Sequence, residues 1–322
     1  MNAAHFVSSK FLLALSLGWA ITSFGQVNQP KAYVATDALS TMVFYESNSK
    51  QTFAPGGFCK IATAVVTLDW AEKTGTDMSI RVGVGRNAVA PGIRNPMGLR
   101  VGDQIQLRDA LYSSLLGNDD TSAIVLATHV GSNIARARRK TVDPEKEFVM
   151  EMNNLAALVG MQRTTFESPE GSLMYPKRDG VSTARDLALL ASHAMEKPAF
   201  RFYTVQASRA ISVDNASGRR SFRVRNGNSN VGKEGIDGVI GLVQTGLGPS
   251  TITSAKKAPV VQKLANGSSA IYTKRLVVVT IGSADPLRVS PNMLRASWAS
   301  WEQWHANGRR ATADQVIRPP SR

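Results

Sequence analysis

A single cysteine, Cys59, excludes an intramolecular disulfide, and four scattered histidines leave the chain without the common zinc-ligand spacings. Acidic residues are the minority, 24 Asp+Glu against 38 Lys+Arg, for a net charge of +14. No internal apolar run is long and clean enough to be a transmembrane span. There is no internal repeat and no low-complexity linker. What remains is 322 residues, 43% of them hydrophobic, which is enough for a sizeable core and excludes intrinsic disorder. The expectation is a soluble globular protein.

The amino terminus reads as a secretory leader. Lys10 sits in a short polar start, FLLALSLGWAITSFG (11–25) is apolar, and Ser23 and Gly25 are the small residues expected before a cut at Gln26. A buried first helix is the weaker reading, because QVNQPK follows the apolar stretch with no helix-face pattern. Removing 25 residues takes away one lysine and no acid, so the mature chain carries +13. Export without a disulfide fits the periplasm or cell envelope of a bacterium better than a eukaryotic secretory route.

A strongly basic chain is drawn to polyanions. The runs ARARRK (135–140), Arg219-Arg220 and Arg309-Arg310 are candidates for such contacts, but no motif that reads DNA or RNA accompanies them. Nucleic acid is therefore not expected as a partner. Anionic cell-wall polymer or lipid headgroups are, beside the simpler reading of solvated basic faces.

Periodicity gives the organisation. AYVATDA (32–38) and MVFYESN (42–48) read as a hairpin. KIATAVVTLDWAEK (60–73), LRDALYSSLL (107–116) and SAIVLATHV (122–130) have helical apolar stripes. Asp143-Pro144 opens a further helix that Gly160 closes, and Thr183 with Asp186 starts another at 184–195. RAISVD (209–214), RSFRVRN (220–226), STITSAKK (250–257) and KRLVVVTIGSAD (274–285) read as strands returning to the hairpin's sheet. A last helix, 291–304, spaces Trp298, Trp301 and Trp304 three apart as a core-packing face. Domain boundaries follow: leader 1–25, one domain 26–307, and a loose basic tail 308–322.

From about residue 30 to about residue 305 the chain resembles the D-alanyl-D-alanine carboxypeptidases of the penicillin-binding, serine β-lactamase-like fold. The resemblance rests on VATDALSTMVFYESNS (34–49), APGGFCKIATA (54–64), MGLRVGDQIQLRDALYSSLL (97–116), STARDLALLA (182–191), and IDGV (236–239) with GPS (248–250), in this order and spacing. It implies an α/β fold of α+β type. An antiparallel sheet from the N-terminal hairpin and the C-terminal strands would be flanked by helices, with a helical middle subdomain. It implies no cofactor and no metal, and serine-type acyl transfer carried by three motifs: a serine with a lysine three residues on, a Ser-x-Asn turn, and a Lys-Thr-Gly strand. Such chemistry needs a nucleophile, a base and a place for developing charge.

At those positions the sequence departs from the family. Gly57 stands three residues before Lys60, where the serine belongs. Asn118-Asp119-Asp120 replaces Ser-x-Asn, and Ile240-Gly241-Leu242 replaces Lys-Thr-Gly. Of the required charged and hydroxyl groups only Lys60 remains. Three substitutes fail on inspection. Gln244-Thr245-Gly246 is four residues out of register, and Lys73-Thr74-Gly75 follows the first helix in the wrong order and reads as a turn. Cys59 lies about 200° around the helix from position 57 and reads as a small core residue. Loss of a serine nucleophile alone typically costs on the order of 10⁶-fold in turnover. The sequence thus describes a catalytically inactive relative, with Gly57, Asn118, Asp120, Ile240, Gly241 and Leu242 as vestigial motif positions.

A buried Lys60 without its partners would be strongly destabilising. Asp120 has two open roles: an ion pair to Lys60, or a cap on the helix at 121–130. Ile240 and Leu242 are expected to make the far wall of the pocket apolar, and Asn226 and Asn228 to be structural. The leading function is non-enzymatic binding of peptidoglycan, another anionic envelope polymer or a protein partner. The competing ones are a residual or altered D-Ala-D-Ala carboxypeptidase or hydrolase acting on wall peptides, and a structural or partner-regulating subunit without a ligand.

Overall fold

The structure, a computed structural model, describes residues 29–172 and 180–317. The leader read at 1–25 and the last residues of the tail, 318–322, lie outside the described residues.

The expected hairpin forms. β1 (Ala32–Asp37) pairs antiparallel with β2 (Val43–Ser47) across a turn whose Ser40 N–H and hydroxyl both donate to Asp37 Oδ2. The chain then enters α1 (Cys59–Thr74), which ends at Gly75 in the left-handed region, φ 66°. The literal Lys73-Thr74-Gly75 is this helix end. The sequence suggests a stripe, yet every residue from Cys59 to Leu68 is buried. The helix runs through the middle of the domain, and two threonines are absorbed by hydroxyl bonds, Thr63 to Pro169 O (2.7 Å) and Thr67 to Thr63 O (2.8 Å).

α2 (Leu107–Gly117), α3 (Asp120–Ala137) and α4 (Pro144–Val159) build the helical part. Asp143 caps α4 and Gly160 closes it at φ 88°, as the sequence grammar requires. α3 runs seven residues past the stripe read at 122–130. The basic run at its end is held by α4: Arg138 reaches Glu147 and Glu151 at 2.7 Å each, and Lys140 reaches Glu147 at 3.2 Å. Thr183 caps α5 (Ala184–Glu196) by accepting from Asp186 N. The Asp186 carboxylate turns instead to Arg163 N and the Thr164 hydroxyl, so it ties a neighbouring loop to the helix start. A short α6 (Pro198–Thr204) follows.

Two sheets form. β3 (Arg81–Gly83), β4 (Gln104–Gln106), β5 (Ser208–Asn215) and β6 (Gly218–Arg225) make an antiparallel sheet in that order. β7 (Ile236–Thr245), β8 (Gly248–Lys263) and β9 (Ser269–Ile281) join the hairpin in the order β2-β1-β9-β8-β7. The expectation that the late strands return to the first sheet therefore holds for β8 and β9 and fails for β5 and β6, while β7 joins the same sheet at its edge. β5 pairs with β4 and β6 with β5, and their buried side chains Ile211, Val213 and Val224 cover the helical part rather than the main sheet.

Period-two alternation divides the main sheet between two cores. Val277, Val279 and Ile281 of β9 face α1 and its neighbours. Leu276 and Val278 face α7 (Pro286–Ala306), which is capped by Asp285 and begins five residues before the start expected from the sequence. Trp298, Trp301 and Trp304 are buried on the sheet side of α7, and Trp301 Nε1 donates to Asp37 Oδ1 at 3.0 Å. The segment 308–317, expected to be loose, is docked. Trp304 Nε1 donates to Arg310 O at 3.0 Å, Ile317 N donates to Thr41 O at 3.1 Å, and Val316 is buried beside Met42.

Candidate active site

The entry to α1 is a tight turn, Pro55-Gly56-Gly57-Phe58, pressed against β7. Gly56 has φ +56°, and a Cβ on it would stand 1.9 Å from Gln244 O, so no other residue fits there. Gly57 comes next. Lys60, one turn on, is 1% exposed, and its ammonium has two partners: Asp120 Oδ1 at 2.5 Å and Glu170 O at 2.9 Å. The loop carrying Glu170 is clamped to α1 a second time by Thr63 and Pro169 O. It is kept close by Gly171, where a Cβ would lie 1.8 Å from Gly56 O.

The two roles open to Asp120 are divided between neighbours. Asp119 is the N-cap of α3. Its carboxylate accepts from Ser122 N (3.3 Å), the Ser122 hydroxyl (2.7 Å) and the Ser113 hydroxyl (2.6 Å). Burial pushes the Asp119 carboxyl above the ordinary aspartate range, against the opposing pull of these bonds and of Lys60. Asp120, in the first turn of α3, takes the ammonium instead. Asn118 ends α2 in the left-handed region, φ 50°. Its Oδ1 is buried and aimed at Gly57, so that a Cβ on Gly57 would stand only 2.8 Å from it.

β7 supplies the far wall, with a correction to the sequence reading. Ile240 is 1% exposed and belongs to the main core, Gly241 lies against the Gly227 backbone, and Leu242 is 44% exposed. Val243 is the residue that meets Gly57: its Cβ and Cγ1 would each be 3.0 Å from a Cβ there. The cause is a register irregularity between Ile240 and Val243, where three steps on β7 match two on β8 and reverse the alternation. Gln244-Thr245-Gly246 runs into the β7–β8 turn, with the Thr245 hydroxyl tied to Gly248 O and Ser250. Cys59 is buried, and burial pushes its thiol up to about 12. Asn226 bonds the carbonyls of Thr204 and Gln206 and the N–H of Asn228, which is a turn-building role.

Lys60 and Asp120 therefore lie together with Gly57, Asn118 and Val243 around one point at the start of α1, while Ile240, Gly241 and Leu242 take other places on β7. Sequence reasoning missed Val243, hidden by the irregular register, and the Glu170 carbonyl, which as a backbone group has no side-chain signature. Among the described residues no group of three or more His, Cys, Asp or Glu side chains is placed to hold a metal ion.

Residues 25–264 match the model of peptidase family S11, D-alanyl-D-alanine carboxypeptidase. The chain belongs to this family. D-alanyl-D-alanine carboxypeptidase of Streptomyces sp. (strain K15) is 33% identical over 153 residues, 47% of this chain and 49% of that protein. D-alanyl-D-alanine carboxypeptidase DacF of Bacillus subtilis is 22% identical over 177 residues, 55% of this chain and 42% of that protein. The matched stretches thus span about half the length of these curated relatives. The Streptomyces K15 DD-transpeptidase has the same fold, with a TM-score of 0.65 at 22% identity over 81% of this chain and 93% of that one. In this member of the D-alanyl-D-alanine carboxypeptidase family, the entry turn and first turn of α1 present Gly57 to β7 and Lys60 to α3.

Proposed function

We propose that this chain is a catalytically silent member of the D-alanyl-D-alanine carboxypeptidase family, exported to a bacterial envelope, where it binds cell-wall material or a protein partner. The observation that carries the proposal is the filled position in front of Lys60. Gly57 offers no atom to be acylated, and the volume a serine side chain needs is taken by Asn118 Oδ1 and the Val243 side chain. Lys60, whose counterpart activates the nucleophile in active relatives, is bound to a carboxylate and a carbonyl. So engaged, Lys60 is held as a donor to these two oxygens and is not turned toward position 57 as a base. Retention of the whole fold around an emptied centre supports a binding role.

Intact-mass spectrometry of residues 26–322 after incubation with a reactive penicillin tests the reading, beside an active family member. No added mass is expected. A stoichiometric adduct would establish the alternative, a residual serine-type or altered D-Ala-D-Ala hydrolase acting on wall peptides, and mapping it would identify the replacement nucleophile. Salt-sensitive co-sedimentation with purified sacculi tests the binding half separately.

A further inference from the structure

The basic runs of this chain are not equivalent. Arg138 and Lys140 are spent on Glu147 and Glu151, and Arg309 stacks over Trp304 at 4.7 Å and Tyr272 at 5.3 Å. The small sheet is different. Residues 78–132 and 198–232, which contain all four of its strands, hold eleven arginines and no lysine. Arginine's planar fork matches the paired oxygens of phosphate, whereas lysine offers a point charge.

Register places these arginines. β6 alternates so that Arg219, Ser221, Arg223 and Arg225 are exposed, while Arg220, Phe222 and Val224 turn inward. Their partners on β5 are small or acidic: Asp214 beside Arg219, Ser212 beside Ser221, Ala210 beside Arg223, and Ser208 beside Arg225. Asp214 is the one carboxylate on this face of the sheet and is shared by Arg81 (2.8 Å) and Arg219 (2.7 Å). These guanidinia hold its carboxyl below the ordinary aspartate range, Arg219 foremost. Arg223 reaches only the Ser208 hydroxyl, at 3.3 Å. Arg223 and Arg225 thus stand two residues, about 7 Å, apart on a flat floor of small side chains. β6 is also an edge strand, so its outer backbone N–H groups face solvent. The strand leads through Asn226 to Gly227, whose backbone packs on Gly241, so the arginine row ends beside Leu242 on β7.

We propose that the outer face of β6 is a docking track for a linear phosphodiester polymer of the cell envelope, gripped by Arg223 and Arg225. The proposal rests on the envelope-binding reading above and names its ligand class. A repeating phosphodiester keeps one charge per unit at every physiological pH, and its two free oxygens accept the guanidinium fork. The same face carries no aromatic ring among its exposed residues, and single-stranded nucleic acid is held largely by stacking on such rings. The bare arginine–serine surface fits a polymer with a phosphate backbone and no bases.

The test titrates the purified protein with fluorescent poly(glycerol phosphate) by anisotropy at several salt concentrations. The double variant Arg223→Gln/Arg225→Gln is expected to lose affinity about tenfold and to reduce the salt slope by about 2. A control of equal charge loss at exposed sites elsewhere, Lys146→Gln/Lys263→Gln, should stay within about twofold of the parent. Unfolding midpoints of both variants verify that the fold is kept. Equal losses in the two variants would overturn the proposal by making net charge the only determinant, and no loss in the first would overturn it by showing that these two arginines do not hold the polymer. Equal binding of polygalacturonate would overturn phosphate selectivity, and tighter binding of a single-stranded oligonucleotide would move the site to nucleic acid. A penicillin adduct would overturn the silent-fold reading alone and leave this titration as it stands.

Discussion

Lys60 Nζ and Asp120 Oδ1 lie 2.5 Å apart, with the two side chains 1% and 11% exposed. A buried pair of this kind contributes little over a well-packed apolar pair, but each half depends on the other, because a lone buried charge has no solvent to replace its partner. Asp120→Asn should therefore lower unfolding free energy by about 3–5 kcal/mol in urea titrations. The double variant Lys60→Met/Asp120→Leu should recover most of that loss. If the double variant is as unstable as Asp120→Asn, the pair is not the source of the cost.

Restoring a serine at position 57 should not restore an enzyme. The Cβ of Gly57→Ser would stand 2.8 Å from Asn118 Oδ1 and 3.0 Å from Val243 Cβ, so the wall must move. Overpacking of this degree costs about 1–3 kcal/mol. In a double-mutant cycle, Gly57→Ser/Val243→Ala should be more stable than the sum of the single changes predicts, since the second removes the atoms that oppose the first. Penicillin should leave the mass of Gly57→Ser unchanged. Strict additivity in the cycle would mean that Val243 does not occupy the serine's space.

What the sequence discloses here is local grammar. Asp143-Pro144 with Gly160, and Thr183 before its helix, define ends that the structure keeps. The three tryptophans of α7 are core, as their spacing requires. Relationships between distant segments are less legible. Alternation marks β5 and β6 as strands without saying that β5 takes β4 as its other neighbour. The irregularity on β7 reverses which of Leu242 and Val243 faces inward, and nothing in the residue pattern announces it. Asp119 and Asp120 are equally good caps by type. Only the position of Ser122 N, three residues beyond Asp119, assigns the cap to the first and frees the second for Lys60.

The Asp119 carboxyl predicts a sign for part of the pH dependence. Its native pKa is raised above the ordinary value of 3.8, chiefly by burial, so the folded chain keeps a proton that the unfolded chain has released. Stability from this group is complete below 3.8 and declines as pH rises from there through the native value. Asp119→Asn keeps an acceptor for Ser122 N and removes the titration. The stability of the parent minus that of Asp119→Asn, read from urea midpoints at successive pH values, should fall as pH rises above 3.8. A rise over the same window would place the native carboxyl below its ordinary value.

Cys59 distinguishes a core thiol from a replacement nucleophile. It sits beside Lys60, an arrangement that lowers a thiol's pKa when solvent can reach it. Burial outweighs this neighbour and pushes the thiol up to about 12, so almost no thiolate exists at pH 8. Iodoacetamide at pH 8 should therefore leave the native protein unmodified and add one carbamidomethyl group after unfolding in urea, both read by intact mass. Cys59→Ala should keep every binding property of the parent, with a modest loss of stability from the vacated volume, on the order of 1 kcal/mol. Rapid native alkylation that penicillin blocks would identify Cys59 as a working nucleophile, because a core residue offers no route by which the two reagents compete.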